Sequence, residues 1–233
     1  MKYKVLSLIA VAGALASSPA HAVVVNWADW VPSTAAPAVG TIATAGGPVG
    51  VTYTGPAAFV QTSGGTNYWT EPNPALRPYT GGVVDNAPPA SDIVALSTGG
   101  TKTITFSETV SDVYLALVSW NGNVFTSQQP FEVISSGSGF WGTGTFANLT
   151  SNGFTGNGEL HGIIRFNGNL NSITFTDTSE NWHGFTVGVA GRAPNGAVPE
   201  PATWAFMILG FGAVAGAMRR TQKATRLNVR LAG

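Results

Sequence analysis

Apolar residues in the middle of the chain alternate with polar or small ones, in short runs that end at Gly, Pro or Asn. Ile104 and Phe106 alternate with threonines, and Ile173 and Phe175 follow the same pattern. Because successive side chains of a β-strand point to opposite faces, this alternation predicts half-buried strands. No convincing amphipathic helix occurs between residues 23 and 198. The sequence therefore predicts an all-β domain of the antiparallel β-sandwich or jelly-roll type.

Two runs are apolar almost throughout, residues 113–120 and 162–166, which predicts strands buried on both faces. An Asn-Gly-Asn triplet follows each run, at residues 121–123 and 167–169. Asn-Gly favours the tight type I′ hairpin, because both residues tolerate positive φ. Residues 23–48 are rich in Ala, Thr, Pro and Gly, so we expect a loose N-terminal part of a domain that spans 23–190.

The N-terminal segment has the organisation of a secretory signal peptide. Lys2 and Lys4 precede an apolar run, and Ala20 and Ala22 occupy the two positions that signal peptidase reads. We therefore predict a signal peptide helix over residues 1–22, with signal peptidase as a partner and cleavage after Ala22.

A second apolar run lies near the C-terminus, at residues 206–218, and two arginines follow it. With its small neighbours the run is long enough to predict a transmembrane helix, and the arginines mark its cytoplasmic side. We assign residues 199–220 to this sorting and transmembrane segment. Residues 191–198 then form a linker, and residues 221–233 form a basic cytoplasmic tail.

This C-terminal segment resembles the PEP-CTERM sorting signal in its PEPxxWA form. The residues that fill the motif are Pro199, Glu200, Pro201, Trp204 and Ala205, with Arg219 and Arg220 as its basic part. The resemblance implies an exported protein of a Gram-negative bacterium. Its precursor would sit transiently in the inner membrane and be cut by exosortase, a membrane cysteine protease.

Two further observations bear on this resemblance. Thirteen residues follow Arg220, whereas such proteins usually end soon after the basic cluster. An ordinary tail anchor without proteolysis is the alternative, but it has no use for the Pro-Glu-Pro and Trp-Ala elements. Residues 180–188 also resemble the globular parts of other exported PEP-CTERM proteins, which implies one β domain and no particular chemistry.

Charge and cysteine content restrict the partners of the domain. Between residues 23 and 198, four basic residues stand against ten acidic ones, so the net charge is −6. This acidic balance argues against binding to nucleic acid or anionic lipid. The chain has no cysteine, so disulfides and thiolate metal sites are excluded. We expect a domain without cofactors, located at the cell surface or outside the cell.

Several large aromatic residues lie beside Gly, Asn or Pro in predicted loops, where a flat ring can stack on the apolar face of a sugar. The main candidates are Trp69, Trp141 and Trp182. They predict binding to exopolysaccharide by a non-enzymatic surface or matrix protein. The alternative is that these rings fill the ends of the core, and that the domain has no ligand.

Two carboxylate and imidazole pairs precede predicted strands, Glu159 with His161 and Glu180 with His183. Such pairs can hold a metal or act as acid and base, which keeps a secreted glycan-active enzyme, a hydrolase or lyase, as the alternative function. Carboxylates at strand ends are common in exported β proteins, however. We therefore expect hydrogen-bonding roles for these residues, with no catalytic residues and no metal site.

Overall fold

The computed structural model describes residues 22–32, 37–193, 206–214 and 219. The chain divides into two compact units, Met1–Ala193 and Pro194–Gly233. The described part of the first unit consists of strands and their connections, which confirms the all-β prediction. In the second unit, residues 206–214 are helical.

Twelve strands form one continuous hydrogen-bonded system in the described part of the first unit. They are β1 (Asn26–Trp30), β2 (Ala38–Thr44), β3 (Gly47–Thr54), β4 (Phe59–Gln61), β5 (Ile93–Leu96), β6 (Gly100–Trp120), β7 (Val124–Ser127), β8 (Glu132–Gly139), β9 (Gly142–Ala147), β10 (Gly153–Gly158), β11 (Leu160–Asp177) and β12 (His183–Arg192). Their order is β4-β5-β12-β1-β2-β3-β6-β11-β7-β10-β9-β8, with further pairings of β12 to β6 and of β11 to β8. All of these pairings are antiparallel.

The long strands β6 and β11 pair with each other over most of their length and connect the remaining strands. The first half of β6 also pairs with β3, and its second half pairs with β12. In the same way, the first half of β11 pairs with β8 and its second half pairs with β7. Each long strand therefore belongs to two different groups of neighbours.

Two residues of β6, Asp112 and Ser119, have positive φ angles of 44° and 57°. Core-facing side chains of β6 lie two or four residues apart, except across these positions, where the spacing becomes three, as between Val110 and Val113. Such a change of phase is expected where a bulge inserts an extra residue into a strand. The two bulges keep β6 facing the core as the strand changes neighbours.

Apolar side chains form two clusters, one on each face of the second half of β6. The larger cluster takes Leu115 and Leu117 from this strand, and the smaller takes Tyr114, Ala116 and Val118. The connection between β4 and β5, residues 62–92, covers the smaller cluster with Trp69 and Tyr79. Residues 113–120 are therefore buried on both faces, as predicted, and residues 162–166 are buried apart from Arg165.

His161 is fully buried beneath this connection. Its Nδ1 lies 3.0 Å from the hydroxyl of Tyr79, which donates to the backbone oxygen of Leu117 at 3.0 Å. Burial lowers the pKa of His161 to about 4. The imidazole is therefore neutral near pH 7 and belongs to the core.

The prediction that residues 23–48 are loose is wrong. They form β1, β2 and the start of β3, with residues 33–36 outside the description. The core-facing positions here include Ala28 and Ala38, which are fully buried. Because small side chains carry little hydrophobic contrast, the alternation of these strands is hard to recognise in the sequence.

Neither Asn-Gly-Asn triplet forms the predicted hairpin. Residues 167–169 lie inside β11, at a register shift, where the backbone N–H of Gly168 donates to the Asp112 carboxylate at 2.8 Å. Residues 121–123 follow β6, but the next strand, β7, pairs with β10 and β11 instead of β6. Gly122 and Gly168 adopt positive φ, but Asn121 and Asn167 do not, so only half of the predicted turn conformation forms.

The sequence predicts a transmembrane helix within residues 199–220. Among the residues that the structure describes, no helix is both long enough and apolar enough to cross a membrane. Most of the predicted signal peptide, the linker beyond residue 193, residues 199–205 of the sorting segment and the basic tail lie outside the described residues. The first two linker residues, Gly191 and Arg192, belong to β12.

Replacing Trp69 by alanine should destabilise the domain by about 3–5 kcal/mol, since the side chain is 3% exposed and its loss leaves a cavity. Trp141→Ala is the matched control. This indole is 55% exposed, so its loss should change stability by less than about 0.5 kcal/mol. Chemical denaturation of both variants measures the difference, and equal effects would contradict the assignment of Trp69 to the core.

The buried His161 should make the domain less stable in acid. An unfolded histidine has a pKa of about 6.5, whereas the folded pKa is about 4. The unfolded chain therefore takes up this proton first as the pH falls, which removes up to about 3 kcal/mol of stability between pH 6.5 and 4. We measure the unfolding free energies of the wild type and of His161→Gln across this range. The stability advantage of the wild type over the variant should become smaller as the pH is lowered. A difference that does not change with pH would rule out a buried neutral His161.

Candidate functional site

Five aromatic side chains meet at the surface and form what we call the aromatic patch: Phe59, Tyr68, Phe140, Trp141 and Trp182. The ring centre of Tyr68 lies 4.9 Å from that of Trp182 and 5.3 Å from that of Phe140. Phe140 is 4.9 Å from Trp141, and Trp182 is 6.4 Å from both Trp141 and Phe59. Trp141 is 55% exposed and Phe140 is 37% exposed. Large apolar side chains grouped at a surface in this way are typical of binding sites.

The hairpin of β8 and β9 presents two of these rings. Gly139 pairs with Gly142, so Phe140 and Trp141 form its two-residue tip. A Cβ atom on Gly139 would lie 2.4 Å from the ring of His161, which shows that the hairpin packs directly on the buried imidazole. Gly142 has a φ of 134°, a backbone angle that residues other than glycine rarely adopt. The two glycines thus hold the aromatic tip close to the sheet.

The connection between β4 and β5 contributes Tyr68. Its neighbour Trp69 is buried and donates its indole N–H to the backbone oxygen of Asp92 at 3.2 Å. The ring of Trp69 also contacts that of Tyr79 edge-on, with centres 5.2 Å apart. Trp69 therefore anchors the connection, and Tyr68 is left partly exposed in the aromatic patch.

Two carboxylates lie close together beside the hairpin tip. The side-chain amide of Asn121 donates to Glu159 at 2.9 Å, and its backbone N–H donates to Glu180 at 3.3 Å. The hydroxyl of Ser119 also donates to Glu159, at 2.5 Å. A Cβ atom on Gly142 would be 3.7 Å from the Cγ atom of Glu159, so this side chain lies beside the residue that follows Trp141 in the hairpin. Glu180 precedes Trp182 by two residues in the chain. Each carboxylate therefore lies near a member of the aromatic patch.

The bulge at Ser119 accounts for this placement. The register between β6 and β11 shifts between Leu160 and Gly162, directly opposite Ser119. Bulges redirect side chains, and a non-glycine residue at positive φ marks local strain that often accompanies binding sites. Here the shift turns the Ser119 hydroxyl toward Glu159 instead of into the core.

Beneath Glu180 lies a buried polar chain. His183 Nε2 is 2.8 Å from an oxygen of Asp177, and its Nδ1 is 3.3 Å from Glu180 in a close contact without good hydrogen-bond geometry. The other oxygen of Asp177 accepts from Lys102. Burial acts to lower the pKa of His183, but the contacts with Asp177 and Glu180 outweigh it and raise the pKa above its ordinary value.

The structure brings together four of the seven predicted ligand residues: Trp141, Trp182, Glu159 and Glu180. The other three, Trp69, His161 and His183, are buried beneath them. The imidazole of His161 contacts Tyr79 instead of Glu159, and His183 approaches Glu180 only in the 3.3 Å contact described above. Within the described ranges, no group of three His, Asp or Glu residues is arranged to hold a metal ion.

Sequence reasoning missed Asn121 and Ser119 as partners of the carboxylates. The sequence pattern marks Asn121 only as a turn residue, and nothing in it marks Ser119. The tip residues Phe140 and Trp141 did carry a signal, because two large apolar residues between glycines are costly to expose in a hairpin without a ligand. Chemically, the site can stack on a flat apolar surface and accept hydrogen bonds from hydroxyls beside it.

Comparison with known proteins identifies the C-terminal segment. Residues 197–221 match the family model of the PEP-CTERM protein-sorting motif. No curated protein and no solved structure matches the chain. The match covers the segment in which Pro199 and Trp204 were predicted to be read by exosortase. The chain is therefore an exported protein that carries the PEP-CTERM sorting motif and is a substrate of exosortase.

Proposed function

We propose that the β domain is a non-enzymatic cell-surface or extracellular-matrix module that binds exopolysaccharide through the aromatic patch. The observation that carries this proposal is the exposed pair at the hairpin tip, Phe140 and Trp141, next to Trp182 and two carboxylates. Sugar rings present apolar faces that stack on aromatic side chains, and their hydroxyls donate to carboxylates.

The negative charge of the domain bears on which kind of polysaccharide it can bind. The segment between residues 23 and 198 has a net charge of −6, and two of its carboxylates border the aromatic patch. A polyanionic chain would be repelled by this surface. The proposal is therefore for a neutral or weakly cationic glycan.

We also infer that the twelve strands form a two-layered sandwich. The halves of β6 and of β11 pair with different neighbours, and the larger apolar cluster takes side chains from both halves of each long strand. Two strand groups that share one cluster in this way are typical of packed sheets. In this arrangement the aromatic patch lies where the β8–β9 hairpin turns and where the connection between β4 and β5 crosses the sheet.

A glycan-active enzyme is the second candidate, and one observation favours it. Asn121 holds Glu159 and Glu180 close together beside the aromatic patch, and glycosidases use two carboxyl groups. Both carboxylates accept hydrogen bonds from this asparagine, which suits sugar recognition equally well. The exposed rings of Phe140 and Trp141 favour binding, because stacking on a sugar needs no reacting group.

Removing the indole of Trp141 or of Trp182 should weaken binding to exopolysaccharide from the producing cell by about tenfold each, since buried aromatic anchors contribute roughly 1–2 kcal/mol or more. Affinity electrophoresis or pull-down on the polysaccharide measures the effect. Leu149→Ala is the control, because Leu149 is 52% exposed and lies outside the aromatic patch. Equal retention of all three variants and the wild type would contradict the binding function.

The two candidate functions separate in a turnover assay on the same polysaccharide. The binding function predicts no new reducing or unsaturated ends at any enzyme concentration. Turnover that Glu159→Gln or Glu180→Gln abolishes would show that the domain is a glycan-active enzyme instead.

Trp204→Ala should leave an uncut precursor in the inner membrane, and so should replacement of Arg219 and Arg220. Exosortase reads the motif, and the arginines retain the segment. Mass spectrometry of the C-terminal peptide in membrane and surface fractions measures processing. Surface protein with an intact C-terminus through Gly233 would contradict it.

A further inference from the structure

Lys102 is the only lysine between residues 23 and 198, and it is 0% exposed. Its Nζ contacts an oxygen of Asp177, whose side chain is also 0% exposed. The remaining partners of Nζ are the backbone oxygens of Thr98 at 3.0 Å and Gly100 at 3.5 Å. Burying an ion pair is costly, and such pairs are often replaceable by apolar groups without loss of stability. Stability alone therefore does not explain why this lysine and aspartate are buried together.

The two strands that carry these residues hold them in fixed register. Lys102 on β6 pairs with Phe175 on β11, and Asp177 lies two residues further along the same face. Rigid positioning of two reacting groups can replace a very high concentration of one of them. The amine and the carboxyl are thus placed for reaction with each other.

A proton-transfer group is already in position. His183 Nε2 lies 2.8 Å from the second oxygen of Asp177, and the ring of Trp120 packs against this imidazole with centres 4.6 Å apart. The Nδ1 of His183 faces Glu180 at 3.3 Å, and Glu180 is partly exposed. The chain of groups leads from the buried pair toward solvent.

We propose that Lys102 and Asp177 become joined by an intramolecular amide bond between the lysine Nζ and the aspartate Cγ. The nitrogen attacks Cγ, a C–N bond forms, and one C–O bond of the carboxyl group breaks. Two of the three ammonium protons leave with that oxygen as one water molecule. The two protons pass from the nitrogen to the Asp177 oxygen that Lys102 contacts, which leaves as water. His183 donates a proton to the other oxygen while Cγ is attacked and takes it back when the carbonyl re-forms, so no oxidant, reductant or cofactor takes part.

The amide suits this domain for two reasons. It removes both charges from the core and leaves one N–H, for which the oxygen of Thr98 is an acceptor. It also ties β6 covalently to β11, the two strands that connect all the others, in an exported chain without a single cysteine. A cross-link of this kind acts on the unfolded state as a disulfide does.

Peptide mapping of the full chain after denaturation tests the proposal. Trypsin cuts after Lys102 only if its amine is free. We expect a branched species in which a peptide ending at Arg165 and still containing Lys102 is joined to peptide 166–192, with a mass one water below their sum. Cleavage after Lys102 together with an unlinked 166–192 peptide at full mass would overturn the proposal, and so would a dehydrated peptide that is not linked.

Two variants assign the roles. Lys102→Met keeps the length of the side chain and should eliminate the branched species. His183→Gln keeps Lys102 and Asp177 and should slow formation of the branched species at least tenfold after synthesis, as loss of a general acid and base does. An unchanged rate in His183→Gln would overturn the role of this histidine. The wild-type peptide map decides the bond itself even if a variant does not fold.

Discussion

The antiparallel pairing of β6 with β11 is the interaction on which the rest of the structure depends. It runs from Gly100 opposite Asp177 to Trp120 opposite Leu160, and every other strand group joins one half or the other of this pair. Long-range pairing of this kind closes large loops, so its entropy cost is met only when side chains on both strands are buried. The apolar clusters on β6 supply that burial.

Bulges in this pair connect the core to the surface site. At Ser119 the strand changes phase, which keeps Trp120 in the core and turns the serine toward Glu159. At the same end of the pair, His161 lies beneath the hairpin that carries Phe140 and Trp141. The position of the aromatic patch is thus set by the core, and we expect a preformed site that changes little on binding.

The sequence allowed the strands with strong contrast to be predicted, such as those around Ile104 and Ile173, and it identified the sorting motif. It failed where small residues face the core, as at Ala28 and Ala38, because their burial leaves little trace in hydrophobicity. It also failed at the Asn-Gly triplets. An Asn-Gly pair favours positive φ, and both a hairpin and a bulge use that conformation, so partner strands decide between them.

The same limit applies to the site. Trp69 and Trp141 have similar neighbours in sequence, but one anchors the connection over the core and the other is exposed at a hairpin tip. Which tryptophan is exposed depends on how distant segments pack. Glu159 and Glu180 both accept hydrogen bonds from Asn121, and such a meeting of three distant residues has no local sequence signature.

The most direct test of the central claim is a titration of the ¹⁵N-labelled protein with its exopolysaccharide, followed through the indole N–H signals of the tryptophans in NMR spectra. The aromatic patch predicts that the signals of Trp141 and Trp182 shift. The signals of Trp30 and Trp120, whose indoles donate to Thr186 and Gly184 inside the core, should stay in place. Unchanged Trp141 and Trp182 signals at saturating polysaccharide would contradict the account.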